Sequence, residues 1–171
     1  WKNFLHKLKN PNHQINIGLI GKYVELNDSY KSILESLIHA GTENDVKVNV
    51  KSIHSEYIDK ENIGKNLNDL DGIIVAPGFG QRGLDGKILA VEYARVNKIP
   101  FLGICLGMQM AVIEYARNVK KIRYANSTEI YEKCKEPVID LMTSQKEIVD
   151  MWGTMRLGAW DCEILKNTIS H

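Results

Sequence analysis

The strongest chemical feature of the sequence is a cysteine flanked by glycines, in the segment Gly103-Ile104-Cys105-Leu106-Gly107. An apolar run precedes it and a mostly apolar, helix-like segment follows, so we expect Cys105 at a strand-to-helix turn. Small residues at both ends leave room for a sharp, strained bend that presents the side chain. The start of the helix would favour the thiolate, which is the reactive form of cysteine. The pattern predicts a nucleophile at Cys105 and an oxyanion-stabilising N–H at Leu106.

A buried structural cysteine at a strand end is the alternative interpretation, because free cysteines are among the most buried residues. The other cysteines, Cys134 and Cys162, make an odd set of three without a CxxC pair. This argues against a disulfide framework and against a structural zinc site, and it favours a reducing, cytoplasmic setting.

A second unusual turn is rich in glycine and runs from Ala76 to Gly83. Three of its glycines match the GxGxxG dinucleotide fingerprint, but we reject that match. The next helix is predicted to begin near Asp85, and the strand after it runs directly into Cys105 without an acidic residue for a ribose. Two interpretations stay open: an ordinary glycine-rich loop, or a loop whose Gly78 N–H is a second oxyanion donor, followed by a lid over residues 81–86.

Apolar runs and helical spacings alternate along the chain, which predicts an α/β fold with an open, mainly parallel sheet and helices on both faces. In such sheets, functional residues gather at the carboxyl ends of the strands. Strands are predicted at 15–20, 46–50, 73–75, 99–104 and 137–141, and helices at 30–41, 85–97 and 106–118.

Composition limits the function classes. The chain has 171 residues, with 44% hydrophobic residues and a net charge of +1 from 22 basic and 21 acidic residues. A balanced charge argues against a nucleic-acid surface, which needs clustered basic residues. No run approaches the roughly 18 apolar residues of a membrane span, and we find no signal peptide. We therefore expect neither nucleic acid nor membrane as a partner. The start at Trp1 suggests a piece of a longer protein.

Together these segments resemble the class I glutamine amidotransferases, and in particular the glutaminase domains of the CTP synthase family. The cysteine turn is shared across class I amidotransferases, whereas the NSTE and GTMRLG blocks are specific to the CTP synthase family. The resemblance rests on INIGLIGKYVELNDSYKSI (15–33), VAPGFGQRG (75–83), KIPFLGICLGMQMAV (98–112), YANSTE (124–129) and GTMRLGAW (153–160).

The resemblance implies that Cys105 attacks the side-chain amide of glutamine, releasing ammonia and forming a γ-glutamyl thioester. The N–H groups of Gly78 and Leu106 would stabilise the oxyanion, and Glu129 would recognise the α-amino end. The residues implied to hold the glutamine are Gly78, Phe79, Leu106, Gly107, Met108, Gln109 and Glu129.

The resemblance also implies partners. Residues 1–14 would connect a synthetase domain to an amidotransferase domain at 15–171. Ammonia would pass to that synthetase domain, which uses ATP and magnesium to convert UTP to CTP. GTP would activate the glutaminase allosterically through the lid around residues 81–87. The glutaminase domain itself is implied to hold no cofactor and no metal, and the family assembles as homotetramers.

The sequence departs from the family at the general base and its orienting acid, which a His-Pro-Glu motif near the end of the domain supplies. That motif is not present here, so the resemblance implies a fold that is incomplete in its C-terminal part. We therefore expect this chain alone to be a poor glutaminase. Pro77 stands where a further glycine is common, and its ring removes an N–H. Trp152 stands where glycine is usual. We assign the base to none of the histidines, which are His6, His13, His39, His54 and His171.

Two other classes remain as alternatives. One is a different cysteine hydrolase on the same kind of sheet, in which an acidic residue lies against the cysteine. The other is a catalytically incomplete regulatory or assembly fragment.

Overall fold

A four-stranded parallel sheet forms the centre of the fold in the computed structural model, which describes residues 1–26, 28–141 and 161–168. The strand order is β2-β1-β3-β4, and a second parallel sheet pairs β5 with β6. The predicted α/β class with a mainly parallel sheet is confirmed. The strands are β1 (His13–Gly21), β2 (Val46–His54), β3 (Gly72–Val75), β4 (Phe101–Gly103), β5 (Ala125–Ser127) and β6 (Glu136–Ile139).

Helices connect the strands of the central sheet, as parallel pairing requires. A single 3₁₀ turn, Ser55–Tyr57, follows β2. The helix after the glycine-rich turn begins directly after Gly83, whose φ is 71°. It ends before Lys98, which has a left-handed conformation with φ 56°. The helices are α1 (Lys2–Lys9), α2 (Lys31–Glu43), α3 (Ile63–Leu67), α4 (Leu84–Asn97) and α5 (Leu106–Asn118).

The sheet is covered on both faces because alternate residues of its strands point to opposite sides. In β3, Ile73 and Val75 join the core that also contains buried residues of α4 and α5. Ile74 instead joins a second core, against which Leu34 and Leu37 of α2 pack. The predicted helices on both faces are therefore confirmed.

Element boundaries differ from the predicted ones where tertiary pairing decides them. The strand predicted at 46–50 continues to His54, because β1 pairs with it along its whole length. The strand predicted at 99–104 is only three residues long, Phe101–Gly103. The run predicted at 137–141 is β6, which pairs with β5 rather than joining the central sheet.

The N-terminal segment is ordered against the rest of the fold. Helix α1 packs on α2, with the rings of Phe4 and His39 edge to face at 5.8 Å between centroids. Lys7 Nζ donates to the Glu43 carbonyl at 3.0 Å. His13 begins β1, so the first strand starts inside the stretch predicted as a connection.

Residues 140–171 form a separate compact unit, whose described residues contain neither helix nor strand. Within the described ranges of the whole chain, no helix has the length and apolar character that crossing a membrane requires.

A buried ion pair joins α4 to α5. The Glu114 side chain is 1% exposed and accepts from Arg95 Nε and Nη2 at 3.0 and 2.7 Å, and Asn118 Nδ2 donates to it at 2.9 Å. Removing the carboxylate would leave these donors without their acceptor.

We expect Glu114→Ala to lower the free energy of unfolding by about 2 kcal/mol, a value reduced because Arg95 remains partly exposed to water. Urea denaturation of the variant measures this change. Glu35→Ala, at an exposed position of α2, is the control and should alter stability by less than about 0.5 kcal/mol. Equal effects of the two substitutions would contradict the role of the buried pair.

Candidate active site

Cys105 lies at the strained turn between β4 and α5 that the sequence predicts. Its backbone has φ 55° and ψ −109°, a conformation that side-chain-bearing residues rarely adopt. The bend is closed by the Gly107 N–H, which donates to the Ile104 carbonyl at 2.9 Å. The Cys105 side chain is exposed, so the buried structural alternative is wrong. The Leu106 N–H, at the first helical position, is free of an intrahelical acceptor by the geometry of helices.

The glycines on either side of Cys105 are required by close backbone contacts. A Cβ on Gly107 would lie 2.0 Å from the Val75 carbonyl oxygen, and a Cβ on Gly103 would lie 2.6 Å from the Gly107 backbone. Helix α5 therefore leaves β4 and passes directly beside β3. That close passage makes the turn sharp enough to present Cys105 at the edge of the sheet.

The glycine-rich turn follows β3, the neighbour of β4. Val75 and Gly103 are register partners, and the Ile104 N–H donates to the Val75 carbonyl at 3.0 Å, so both turns leave the same edge of the sheet side by side. Gly78 has φ 155° and Gly80 has φ 73°, values that favour glycine. This edge also lies where the strand order reverses, between β1 and β3, which is where ligands bind in open α/β sheets.

One reason given above for rejecting a dinucleotide site is wrong. Helix α4 begins at Leu84, directly after the third glycine of the GxGxxG match, rather than near Asp85. The other reason stands, because β4 ends at Gly103 and leads into Cys105, where that fingerprint requires an acidic residue on the ribose.

Two buried lysines hold the carbonyl groups of the glycine-rich turn. Lys22, directly after β1, is 3% exposed and donates to the carbonyls of Phe79 and Gly80. Lys87, in the first turn of α4, is fully buried, and its Nζ donates to the Ala76 carbonyl at 2.7 Å. The ammonium groups of Lys22 and Lys87 are thus both bonded to the glycine-rich turn, which lies beside the cysteine turn.

The environment lowers the pKa of both ammonium groups. Burial, and then the positive charge of Lys22, lowers the pKa of Lys87 to about 8, while the negative charge of a Cys105 thiolate acts in the opposite direction. Burial is also the main cause of the lowered pKa of Lys22, followed by the charge of Arg82, which Glu56 partly offsets. Strongly perturbed ionisable groups in a cleft are typical of functional sites.

The other predicted glutamine-contacting residues lie on α5 and on the glycine-rich turn. Phe79 and Met108 are exposed, whereas Leu106 and Gly107 are buried. The Gln109 side-chain oxygen is buried and has no hydrogen-bond partner among the described residues. A buried acceptor of this kind needs a donor, and one from a bound ligand would satisfy it.

Glu129 lies in the turn after β5, with its side chain exposed. That turn is tied to the glycine-rich loop, because Gln81 Nε2 donates to the Ile130 carbonyl at 2.8 Å. Since Ile130 is adjacent to Glu129, this hydrogen bond brings the Glu129 turn to the same loop that carries Gly78. The predicted lid is held here by Gln81 and by the ion pair of Arg82 with Glu56 at 2.9 Å.

The described histidines have local structural contacts. The His54 Nδ1 accepts from the Glu56 N–H at 3.3 Å, and its ring stacks on Tyr57 at 4.6 Å between centroids. His39 contacts Phe4, as noted above, and His6 and His13 belong to α1 and β1. The predictions for His171, Trp152 and the GTMRLG block concern residues outside the described ranges.

Sequence reasoning missed the two lysines as site residues. The sequence contained a signal for Lys22, because this residue directly follows an apolar strand, and site residues gather at the carboxyl ends of such strands. It contained none for Lys87, since a lysine near the start of a helix is ordinarily exposed.

Three comparisons with known proteins bear on this site. The profile of the family "Glutamine amidotransferase class-I" matches residues 25–170. The chain is 63% identical over its whole length to a CTP synthase of Christiangramia forsetii and 55% identical to one of Clostridium acetobutylicum. It spans 31% and 32% of those relatives, about a third of their length.

Among solved structures, the chain is similar to the glutaminase domain of Trypanosoma brucei CTPS with bound acivicin. The two share 37% sequence identity with a TM-score of 0.71, over 76% of this chain and 51% of the other.

Proposed function

The chain belongs to the class I glutamine amidotransferase family, and on that premise we propose that it is the glutamine-hydrolysing part of a CTP synthase. The observation that carries this proposal is the pairing of two turns at one sheet edge. One turn presents an exposed cysteine in a strained conformation, and the other presents Gly78 in front of buried cations. Such a site suits attack by a thiolate on a carbonyl carbon.

In the proposed reaction, the Cys105 thiolate attacks the side-chain amide carbon of glutamine. The N–H groups of Gly78 and Leu106 hold the negative oxygen of the tetrahedral intermediate. The intermediate collapses, the C–N bond breaks, and the nitrogen leaves as ammonia after taking up a proton. Water then hydrolyses the γ-glutamyl thioester to glutamate and regenerates the thiol. Because Pro77 has no N–H, Gly78 provides the oxyanion donor on this loop.

Three features support glutamine as the substrate. The unpartnered Gln109 oxygen would accept from an N–H of the bound amino acid. The exposed Glu129 carboxylate would pair with its α-ammonium group, and the Gln81 hydrogen bond holds that turn at the glycine-rich loop. Phe79 and Met108 offer exposed apolar surface for the aliphatic stem.

We also propose the wider role by similarity to the CTP synthases. Ammonia from Cys105 would be consumed by a synthetase domain in the same protein, which would use ATP and magnesium to aminate UTP. GTP activation through residues 81–87 and assembly as a homotetramer belong to the same proposal. The identity over the whole chain to proteins of about three times its length supports it.

Labelling with a glutamine-mimicking diazoketone tests the proposal. We expect one covalent adduct, located on Cys105 by peptide mass spectrometry, and slower labelling when glutamine is present, because both ligands occupy one site. Adducts on Cys134 or Cys162, or a labelling rate that glutamine does not change, would count against a glutamine site.

The rival cysteine hydrolase needs an acidic side chain against the nucleophile. Here Lys87 Nζ instead donates to the Ala76 carbonyl, and the preceding residue, Val75, accepts from the Ile104 N–H beside Cys105, so a buried cation is bonded to the loop next to the cysteine turn. That arrangement stabilises a thiolate and a developing oxyanion, which favours the amidotransferase.

A further inference from the structure

The burial of the Lys87 ammonium is unusual for a lysine. Its side chain is fully buried, and among the described residues no carboxylate lies within ion-pair distance of it. A buried, unpaired ammonium is costly, so a residue of this kind is more often functional than stabilising. Methionine could fill the same space without that cost.

Among the described residues, the hydrogen bonds of the Lys87 ammonium go to the loop that carries the proposed oxyanion donor. Its Nζ lies 2.7 Å from the Ala76 carbonyl oxygen and 3.5 Å from that of Pro77. A Cβ built on Gly78 would lie 3.7 Å from the same nitrogen. Lys87 therefore lies directly behind the segment 76–78.

These contacts determine where the loop can direct its N–H groups. In a planar trans peptide, the C=O and the N–H point in opposite directions. The Pro77 carbonyl and the Gly78 N–H belong to one peptide, so drawing the carbonyl toward Lys87 turns the N–H away from it. Since Pro77 itself has no N–H, the Gly78 N–H is the first donor that this loop offers.

We propose that Lys87 is a positioning residue of the site: its ammonium holds the carbonyls of Ala76 and Pro77, thereby aims the Gly78 N–H at the oxyanion, and stabilises the Cys105 thiolate. The positioning part of this proposal rests on the proposed glutaminase function, whereas the effect of the charge on Cys105 does not. The groups whose charges bear on Lys87 are Lys22, from the end of β1, and Cys105, from the start of α5.

Alkylation of Cys105 by iodoacetamide, followed from pH 5 to 10.5, tests the electrostatic part. The experiment uses a chain that carries Cys134→Ser and Cys162→Ser, so that Cys105 is the one thiol of the chain that can be alkylated. We expect Lys87→Met to slow alkylation at pH 7 about tenfold, because the Cys105 thiolate then lacks a neighbouring positive charge. Above about pH 10 both proteins should react at the same rate, because Lys87, whose pKa is about 8, has then lost its charge in the parent.

Lys47→Met is the matched control. It removes an exposed lysine near the amino end of β2, whereas Cys105 lies at the carboxyl edge of the sheet. Its profile should follow that of the parent. Lys87→Arg keeps the charge and should restore most of the rate at pH 7. An unchanged Cys105 profile in Lys87→Met, at an unchanged melting temperature, would overturn the electrostatic role. If the methionine variant melts far below the parent, Lys87→Gln is measured instead, with the same expected slowing.

Steady-state kinetics in the full-length protein test the positioning part. We expect Lys87→Met to lower kcat for glutamine hydrolysis ten- to a hundredfold with little change in KM, because an oxyanion donor acts in the transition state. A change confined to KM would overturn the positioning role. Alkylation uses no glutamine, so a shifted thiol profile without any glutamine turnover would refute the proposed function and leave the charge effect of Lys87 intact.

Discussion

Replacing Cys105 by alanine in the full-length protein is expected to lower glutamine-dependent CTP formation by about four orders of magnitude or more. No other described residue combines an exposed thiol with a strained strand-to-helix turn, and loss of a nucleophile from such a site removes covalent catalysis altogether. CTP formation fed directly with ammonium salts should persist, because in the proposed function the cysteine turn only supplies ammonia. Product formation is measured by absorbance with each nitrogen source.

Cys134→Ala is the matched control for this experiment. Cys134 lies in the turn before β6, where its thiol makes only a long contact of 4.0 Å to the Tyr124 carbonyl. Its glutamine-dependent rate should stay within about twofold of the parent. Residual glutamine-dependent activity of more than a few per cent in Cys105→Ala would show that another residue is the nucleophile.

Gly107→Ala is expected to destabilise the fold and abolish the site at once. The added methyl group would lie 2.0 Å from the Val75 carbonyl oxygen, which belongs to the backbone of a central strand. Helix α5 would have to move away from β3, and Cys105 would move with it. We expect the free energy of unfolding to fall by about 2–4 kcal/mol and diazoketone labelling of Cys105 to be lost.

Gly64→Ala separates this effect from the general cost of replacing a glycine. A Cβ on Gly64, within α3, meets no atom within 4 Å. Because alanine favours a helix over glycine, that variant should gain up to about 1 kcal/mol and keep its labelling. Urea denaturation and labelling measure both variants. Full labelling in Gly107→Ala would mean that the turn does not need the close approach of α5 to β3.

The centre of the sheet was predictable because β3 is buried on both faces and therefore apolar throughout. Ile73-Ile74-Val75 needs no alternation, since Ile74 packs toward α2 and its neighbours toward α4 and α5. The strand ends were less predictable. The extension of β2 to His54 follows from pairing with β1, and local propensity does not record that partner.

The candidate site likewise has parts that could be predicted from the sequence and parts that could not. The Gly103–Gly107 turn could be located from the sequence, because the residue types that permit a sharp bend are local and adjacent. The sheet pairing of β3 with β4 then brought Gly78 and Cys105 to one edge, as parallel topology requires. The pairing of Gln81 with Ile130 joins residues far apart in the chain, so no local pattern could indicate it.

By itself, the sequence determined the parallel α/β class, the cysteine turn and the glycine loop, since each depends on neighbouring residues and on burial periodicity. Only the tertiary structure decided that Lys22 and Lys87 lie buried behind that loop. A lysine is ordinarily solvated, and whether its ammonium is taken out of water depends on which strands and helices close around it. The electrostatics of the site are therefore a property of packing, whereas the position of its nucleophile is a property of local chain geometry.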